Sequence, residues 1–229
     1  MSRIQSRSKL VSQTHRNKKS FEINLIEDNE KLFDQTHRNN KSTETNVIED
    51  PKIVNESAWV RGLIKNGFEI WEGTSEDDLI IGNQERTNFI YAQWGDDDIT
   101  GGDCVDHIIA GPGSNTVAGG KGADRFVLGK FEQTTILDFE KGIDKLIIST
   151  GIGHYSSKDV VKPGELTGIK VKKGVTEADT IVEAHIEGSV SSFYLLGTAF
   201  NTAANWNDLD IYLLGGMTGD GTENLIPLA

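Results

Sequence analysis

The chain has 229 residues, a formal net charge of -12 and a single cysteine, Cys104. All of the acidic excess follows residue 55, and a strongly acidic chain is unsuited to binding nucleic acid or an anionic membrane. One cysteine excludes an internal disulfide, and the sequence has no run of about 18 apolar residues that would span a membrane.

Residues 1–55 form a polar arm that carries an internal repeat. Sixteen residues from Gln13 recur from Gln35 with 12 identities, at a spacing of 22. Two copies are too few for a solenoid, and the segment is polar with few aromatic residues, so we expect it to be disordered. A tandem arm that binds an extracellular partner is the alternative. His15 and His37 each stand beside an arginine, which favours solvated histidines over a metal site.

The sequence of residues 56–72 predicts a short capping helix and an entry segment that leads into the repeats. Asn55 can cap the start of this helix and Gly67 can end it. An apolar stripe follows the helical period at Trp59, Val60, Leu63 and Ile64. We expect the helix to cover the open end of the domain that follows.

The segment 73–128 repeats every nine residues. An Asp or Asn recurs at this spacing, glycines precede it in most repeats, and an apolar residue follows it two positions later. The polar series is Asn88, Asp97, Asp106, Asn115 and Asp124, and the apolar series is Ile90, Ile99, Ile108, Val117 and Phe126. The period is too short for a helical repeat and matches one turn and one strand of a β-solenoid. Because side chains alternate along a strand, we expect the apolar series to point inward, where stacked turns bury it.

Each glycine-rich turn offers oxygen atoms to a hard cation. Calcium takes about six to eight oxygens in loose geometry. Glycine reaches backbone conformations that let a turn present its carbonyl groups, and one Asp or Asn per turn adds a side-chain oxygen. Without a cation, acidic runs such as Asp96–Asp98 would repel one another. The pattern therefore predicts calcium between stacked turns, and a solenoid that has lost its metal is the alternative.

One repeat carries a complete family motif. Gly119–Val127 reads G-G-x-G-x-D-x-U-x, which resembles the repeats-in-toxin (haemolysin-type) calcium-binding nonapeptide of secreted bacterial and cyanobacterial proteins. Other turns match in part, and Gly82–Tyr91 matches least, with Glu85–Thr87 where the motif has a glycine loop. Asp78 begins an earlier turn but precedes Asn88 by ten residues, which implies either a one-residue insertion or a break in the register.

The resemblance implies an all-β fold: a calcium-stacked parallel β-roll over 73–128, followed by an antiparallel β extension. In the family, successive turns alternate sides, so each calcium lies between one turn and the turn two further on. This pairs Asp106 with Asp124, Asp97 with Asn115, Asn88 with Asp106 and Asp78 with Asp97. About two to four calcium ions are implied, bound most tightly between Asp106 and Asp124 because Asn offers only a neutral oxygen. The implied metal-site residues are Asp78, Asn88, Gly95, Asp97, Gly101, Gly102, Asp103, Asp106, Gly111, Gly113, Asn115, Gly119, Gly120, Gly122, Asp124, Asp138 and Asp144.

Residues 129–229 are expected to close the roll with a C-terminal β cap. Ile136–Leu146 resembles the family's closing segment, I-x-D-F-x-x-G-x-D-x-L. Within it, Asp138 and Asp144 either add ligands to the last site or are turn residues around Gly142. Further strand-like runs predict an antiparallel extension at Gly168–Val171, Thr180–Ala184, Ser192–Leu196 and Asp210–Leu213.

Catalytic motifs are missing from the sequence. It contains no H-E-x-x-H and no G-x-S-x-G, and no His and carboxylate pair is apparent around Cys104. We therefore expect a protein that is not an enzyme.

The resemblance also implies a location. Met1–Glu30 shows no signal peptide, but the family leaves the cell through type I secretion machinery, directed by an uncleaved C-terminal signal. Leu209–Ala229 is compatible with such a signal. The expected function is a secreted, extracellular or surface-associated calcium-binding protein whose roll folds when it meets calcium. The alternatives are an adhesin that binds a partner through residues 1–55, and a calcium-dependent hydrolase with a site in 150–229.

Overall fold

The computed structural model describes residues 45–48, 51, 58–150, 165–199, 210–217 and 223–227, all within the unit Thr43–Ala229. The described residues form one helix, α1 (Ala58–Lys65), and a series of strands. The strands are β1 (Asn46–Ile48), β2 (Glu69–Glu72), β3 (Asp78–Ile81), β4 (Asn88–Tyr91), β5 (Asp98–Gly102), β6 (His107–Ile109), β7 (Gly113–Gly120), β8 (Arg125–Leu128), β9 (Glu132–Ile136), β10 (Lys145–Ile148), β11 (Leu166–Lys173), β12 (Thr180–Ile186), β13 (Ser189–Leu195), β14 (Ile211–Met217) and β15 (Glu223–Pro227).

Consecutive strands of the repeat region lie in opposite sheets. The first sheet has the order β1-β3-β5-β7-β9-β13-β12-β11, and the second has the order β15-β14-β10-β8-β6-β4-β2. The pairs from β1 to β9 and from β2 to β10 are all parallel. This arrangement is a parallel β-roll, which confirms the fold expected from the nine-residue period.

The core of the roll lies between the two sheets. All five apolar positions of the repeat are buried there, with exposed fractions of 0–1 %: Ile90, Ile99, Ile108, Val117 and Phe126. Burying one such side chain stabilises the fold by about 1.5–3 kcal/mol. A single turn contributes one of these residues, so only the stack as a whole can form a core.

The ten-residue spacing between Asp78 and Asn88 does not break the register. Leu79 pairs with Asp98 on one side of the turn, and Phe89 pairs with His107 on the other. The extra residue therefore lies in the turn after β3, and the strands on both sides keep their places.

The roll extends beyond the range 73–128 expected from the sequence. Strand β2 precedes that range and pairs with β4, while β9 and β10 follow it and pair with β7 and β8. The closing segment therefore forms another full turn of the roll.

Part of the expected polar arm is ordered. Most of residues 1–55 lie outside the described residues, but Asn46–Ile48 forms β1 and pairs in parallel with β3. The Asn46 N–H donates to the Asp77 carbonyl oxygen at 2.9 Å. Disorder is wrong for these three residues, because β1 satisfies backbone groups that β3 would otherwise leave open at the sheet edge.

Helix α1 forms where the sequence predicts it but packs elsewhere. Gly67 ends it as expected, with φ at +91° and the Phe68 N–H donating to the Leu63 carbonyl oxygen at 3.1 Å. Val60 and Leu63 are buried in a cluster with Ile70 on the outer face of the second sheet. The helix thus covers one face of that sheet and does not lie across the end of the roll, because Ile70 and its neighbours offer an apolar surface there.

The C-terminal strands join both sheets. All four predicted runs are strands, in β11 to β14. The extension is mixed, however, and not purely antiparallel: β13 is parallel to β9 and β14 is parallel to β10, while β11, β12 and β15 are antiparallel to their neighbours. Within the described residues, no helix has both the length and the apolar character needed to cross a membrane.

Candidate metal centre

The turns that connect the two sheets stack along the two edges of the roll. The first edge consists of the turns that lead from the second sheet to the first, and the second edge consists of the turns that lead back. The polar series divides between them, with Asp78, Asp97 and Asn115 on the first edge and Asn88, Asp106, Asp124 and Asp144 on the second.

Along each edge, the polar side chains form a hydrogen-bonded ladder. Each polar residue is one rung of its ladder. From the second rung onwards, one side-chain oxygen accepts the backbone N–H of the polar residue one rung earlier on the same edge. All four pairs expected from the resemblance are adjacent in this way, and Asp124 with Asp144 forms a further pair. The N–H to Oδ1 distances are 2.9 Å for Asp78 to Asp97, 2.9 Å for Asp97 to Asn115, 2.7 Å for Asn88 to Asp106, 2.8 Å for Asp106 to Asp124 and 2.9 Å for Asp124 to Asp144.

The carboxyl groups of the ladders are buried without a positive partner. Burial raises the pKa of Asp97 and Asp124 to about 8 and that of Asp106 to about 6. It also raises the pKa of Asp78 and Asp144. No Lys or Arg is among the leading causes of these shifts, and neighbouring carboxylates add repulsion at all of them except Asp106. Such groups need either a proton or a bound cation to be stable in this setting.

One ladder oxygen has no protein partner. Asp97 is 1 % exposed, and among the described residues its Oδ2 atom is buried without a hydrogen bond. A buried, unpaired carboxylate oxygen is costly, so the position fits a cation that would complete its environment.

Backbone carbonyl groups supply further oxygens, because adjacent turns approach very closely. A Cβ atom added to Gly95 would lie 2.5 Å from the Glu76 carbonyl oxygen, and one added to Gly122 would lie 2.4 Å from the Cys104 carbonyl oxygen. Both glycines have positive φ, +137° and +134°. Among the described residues, no group of three or more His, Cys, Asp or Glu side chains is arranged to hold a metal. A metal between the rungs would therefore take most of its ligands from these carbonyl groups, which suits calcium and not a transition metal.

Replacing Gly122 with Ala should lower the stability of the roll by about 1–3 kcal/mol, because the new Cβ is both strained and in collision with Cys104. Thermal unfolding in calcium measures the loss. Gly188→Ala is the matched control: Gly188 also has positive φ, +83°, but nothing lies within 4 Å of an added Cβ. Equal losses in the two variants would contradict the close approach of turns at Gly122.

The remaining expected metal-site residues are Asp138, Asp103 and the other glycines, and their surroundings differ. Asp138 lies on the second edge and accepts the N–H groups of Gly119 and Gly120, both at 2.9 Å. Asp103 does not join the ladder, since its carboxylate pairs with Lys121 at 2.8 Å and its side chain is 53 % exposed. The other glycines lie in or beside the turns, with Gly111 and Gly113 on the first edge and Gly101, Gly102, Gly119 and Gly120 on the second.

Glu132 is a buried acid that the sequence analysis missed. It is 1 % exposed, and its Oε1 accepts the Gly111 N–H at 3.1 Å and the Thr134 hydroxyl at 3.2 Å. Burial raises its pKa to about 8. Thr134 lies opposite Asn115 in the sheet, so Glu132 brings a carboxyl group to the rung where Thr134 replaces Asp. Glu132 lies two residues before the position of the polar series, so the nine-residue period does not identify it.

Residues 105–131 match the family model described as RTX calcium-binding nonapeptide repeat (4 copies). The solved structures that are similar to the chain include two subunits of one enzyme. The AlgE6R2 subunit of the Azotobacter vinelandii mannuronan C5-epimerase is 21 % identical, with a TM-score of 0.33, and the match covers 61 % of this chain and 90 % of that one. The AlgE6R3 subunit of the same enzyme is 17 % identical, with a TM-score of 0.32, and the match covers 69 % of this chain and 88 % of that one. No curated protein matches the chain.

The described residues form a parallel roll with an Asp or Asn at most rungs and with closely approaching carbonyl groups, features that fit the class of calcium-binding β-rolls. Within that class, the segment 105–131 is similar to the RTX calcium-binding nonapeptide repeat, whose family model it matches.

Proposed function

We propose that this protein is a secreted, non-enzymatic calcium-binding module whose roll folds when it meets extracellular calcium, with about two to four ions between its rungs. The proposal rests on the type of repeat and on the chemistry of the two edges. The observation that carries it is the buried Asp97 Oδ2, which no described residue pairs.

Charge explains why folding would depend on the metal. In the metal-free roll, desolvation of Asp97 and Asp124 opposes their ionisation, and nearby carboxylates add repulsion. Calcium removes both penalties at once, because it neutralises the carboxylates and coordinates the oxygens that burial has separated from water. The unfolded chain has no such site, so binding energy becomes folding energy.

Calcium levels on the two sides of the cell membrane would then act as the switch. Extracellular calcium modules bind with dissociation constants of about 10⁻⁴ to 10⁻³ M, far above the free calcium concentration of the cytosol. The acidic chain would remain expanded inside the cell, which suits export through type I secretion machinery. Outside, at a concentration ten times the dissociation constant, each site adds about 1.4 kcal/mol to the stability of the fold.

The test is a calcium titration of the metal-stripped protein, followed by far-UV circular dichroism and calorimetry. We expect a cooperative gain of β-sheet signal at sub-millimolar to millimolar calcium. Magnesium at the same concentrations is the control and should have no effect, since it prefers a tight octahedral shell with several waters. A protein that shows its full β-sheet signal in chelator and binds no calcium would refute the proposal.

A further inference from the structure

On the second edge, Asn88 occupies the position that an Asp occupies in the later rungs, and its contacts differ from those of an Asp. It is fully buried, and its side-chain nitrogen lies between two stacked turns. The two hydrogens of this nitrogen are shared among three acceptors: the carbonyl oxygen of Asn83 at 3.0 Å, that of Arg86 at 3.1 Å and Asp106 Oδ1 at 2.8 Å. A cation in this gap would need these same kinds of oxygen atoms, two carbonyl groups and a carboxylate.

The orientation of the Asn88 amide is fixed by its surroundings. Its oxygen accepts the Asn83 N–H at 2.8 Å and the indole N–H of Trp71 at 2.9 Å, while its nitrogen faces acceptors only. If the amide were rotated by 180°, its NH₂ group would face the two N–H donors that the oxygen now accepts. Its oxygen would then face three acceptors. The nitrogen therefore points into the gap, and the oxygen is turned towards Trp71.

The gap leaves no carboxylate oxygen for an ion to complete. Asp106 Oδ1 accepts both the backbone and the side-chain nitrogen of Asn88, and Asp106 Oδ2 accepts the Gly102 N–H. The nitrogen also occupies the space itself, since it lies 3.2 Å from the position of a Cβ on Gly102. Every polar atom that a cation would use already has a partner.

Asn115 on the first edge behaves differently. Its side-chain nitrogen donates to the Gly111 carbonyl oxygen at 2.7 Å. The acid of the neighbouring rung, Asp97, still has a buried oxygen with no partner among the described residues. An Asn in the polar series is therefore not enough to fill a gap, and the contacts of Asn88 are specific to its turn.

We infer that the Asn88 side-chain amide takes the place of a calcium ion between the turns 82–87 and 101–106, so that this rung forms without metal. The pair Asn88 and Asp106 is then not a weak calcium site but a metal-free clamp beside Trp71. The inference rests on the proposed function in one respect, because it divides the rungs of a calcium-binding roll into those that need the ion and one that does not.

The test is Asn88→Asp, with the number of bound calcium ions measured by isothermal titration and by native mass spectrometry of the full chain. A carboxylate at this position cannot donate to Asn83, Arg86 or Asp106, and it supplies the negative charge that the gap lacks. We expect one more bound calcium ion than in the wild type.

Asn115→Asp is the matched control, because it makes the same change at a rung that already has an unpaired acid. It should bind the same number of ions as the wild type, with higher affinity. Equal numbers of ions in the wild type and Asn88→Asp would overturn the inference. A wild type that binds no calcium would instead refute the proposed function, so the two failures are distinguishable.

A second measurement covers the case in which Asn88→Asp does not fold. In the calcium-loaded wild type, we expect the side-chain NH₂ protons of Asn88 to be protected from exchange with solvent, as observed by NMR. The indole N–H of Trp71, assigned with Trp71→Phe, should be protected as well. Rapid exchange of the Asn88 NH₂ protons would mean that the nitrogen does not lie in the gap, and would refute the clamp.

Discussion

Asp124→Asn should remove one bound calcium ion and lower the unfolding temperature of the calcium-loaded protein by about 3–6 °C. Asp124 contributes its carboxylate to the gap it shares with Asp106, and the replacement keeps the oxygen that accepts the Asp106 N–H while removing the charge. At calcium ten times above the dissociation constant, a lost site costs about 1.4 kcal/mol. In a chain of this size that corresponds to about 3–6 °C. Titration calorimetry and thermal unfolding at fixed calcium measure the two effects.

The same replacement should have the opposite effect in chelator. Asp124 is buried with a raised pKa, and Asp144, Asp106 and Asp138 repel its charge. A neutral amide avoids both costs, so the metal-free variant should be at least as stable as the metal-free wild type. A variant that has lost a metal ligand should be less stable than the wild type in calcium but not in chelator. A damaged fold would be less stable under both conditions.

Asp103→Asn is the control for this experiment. Asp103 lies in the turn before Asp106, and its replacement removes the same charge, but its carboxylate is exposed and paired with Lys121. It should keep the full number of ions, with a change in stability of less than about 1 kcal/mol. If Asp103→Asn lost an ion and Asp124→Asn did not, the assignment of ligands on the second edge would be wrong.

The repeat predicts so much of the roll because each position in it has one physical role. An apolar residue two places after each Asp or Asn must face inward, and all five such residues are buried in the core. The same period places alternate polar residues on opposite edges, which is how the hydrogen-bonded pairs arise. Local spacing is sufficient here because neighbouring turns repeat the same conformation.

The sequence is less informative where a contact depends on distant parts of the chain. Helix α1 is predicted by its own residues, but its packing on the second sheet depends on Ile70 and Phe89, which face outward only once the register is known. Strand β1 has only three residues and forms because β3 has an open edge. Glu132 reaches its rung from outside the repeat, and the Asn88 clamp requires Trp71 from a different strand. None of these partners is encoded in a local pattern.

The pH dependence of stability should change sign when calcium is added. In the metal-free roll, burial raises the pKa of Asp97 and Asp124 to about 8 and that of Asp106 to about 6. In the unfolded chain these groups titrate near pH 4. The folded form therefore holds protons more tightly, and the stability that these groups contribute is fully present below about pH 4 and is lost as the pH rises to about 8. Metal-free protein should be more stable at pH 5 than at pH 8.

With calcium the order should reverse, because the ion binds the deprotonated carboxylates and competes with protons. Affinity should rise across the same interval, by about tenfold per pH unit for each proton that binding displaces. The β-sheet signal in chelator and denaturant unfolding in millimolar calcium, each followed at pH 5, 6.5 and 8, measure the two slopes. Glu132→Gln is the useful control, since burial also raises the pKa of Glu132 but both of its carboxylate oxygens already accept N–H groups, from Gly111 and Gly129. Without the Glu132 carboxyl group, the plot of metal-free stability against pH should be flatter. The difference between the plots in chelator and in calcium should remain. Parallel curves in chelator and in calcium would mean that the buried ladder acids do not bind the ion.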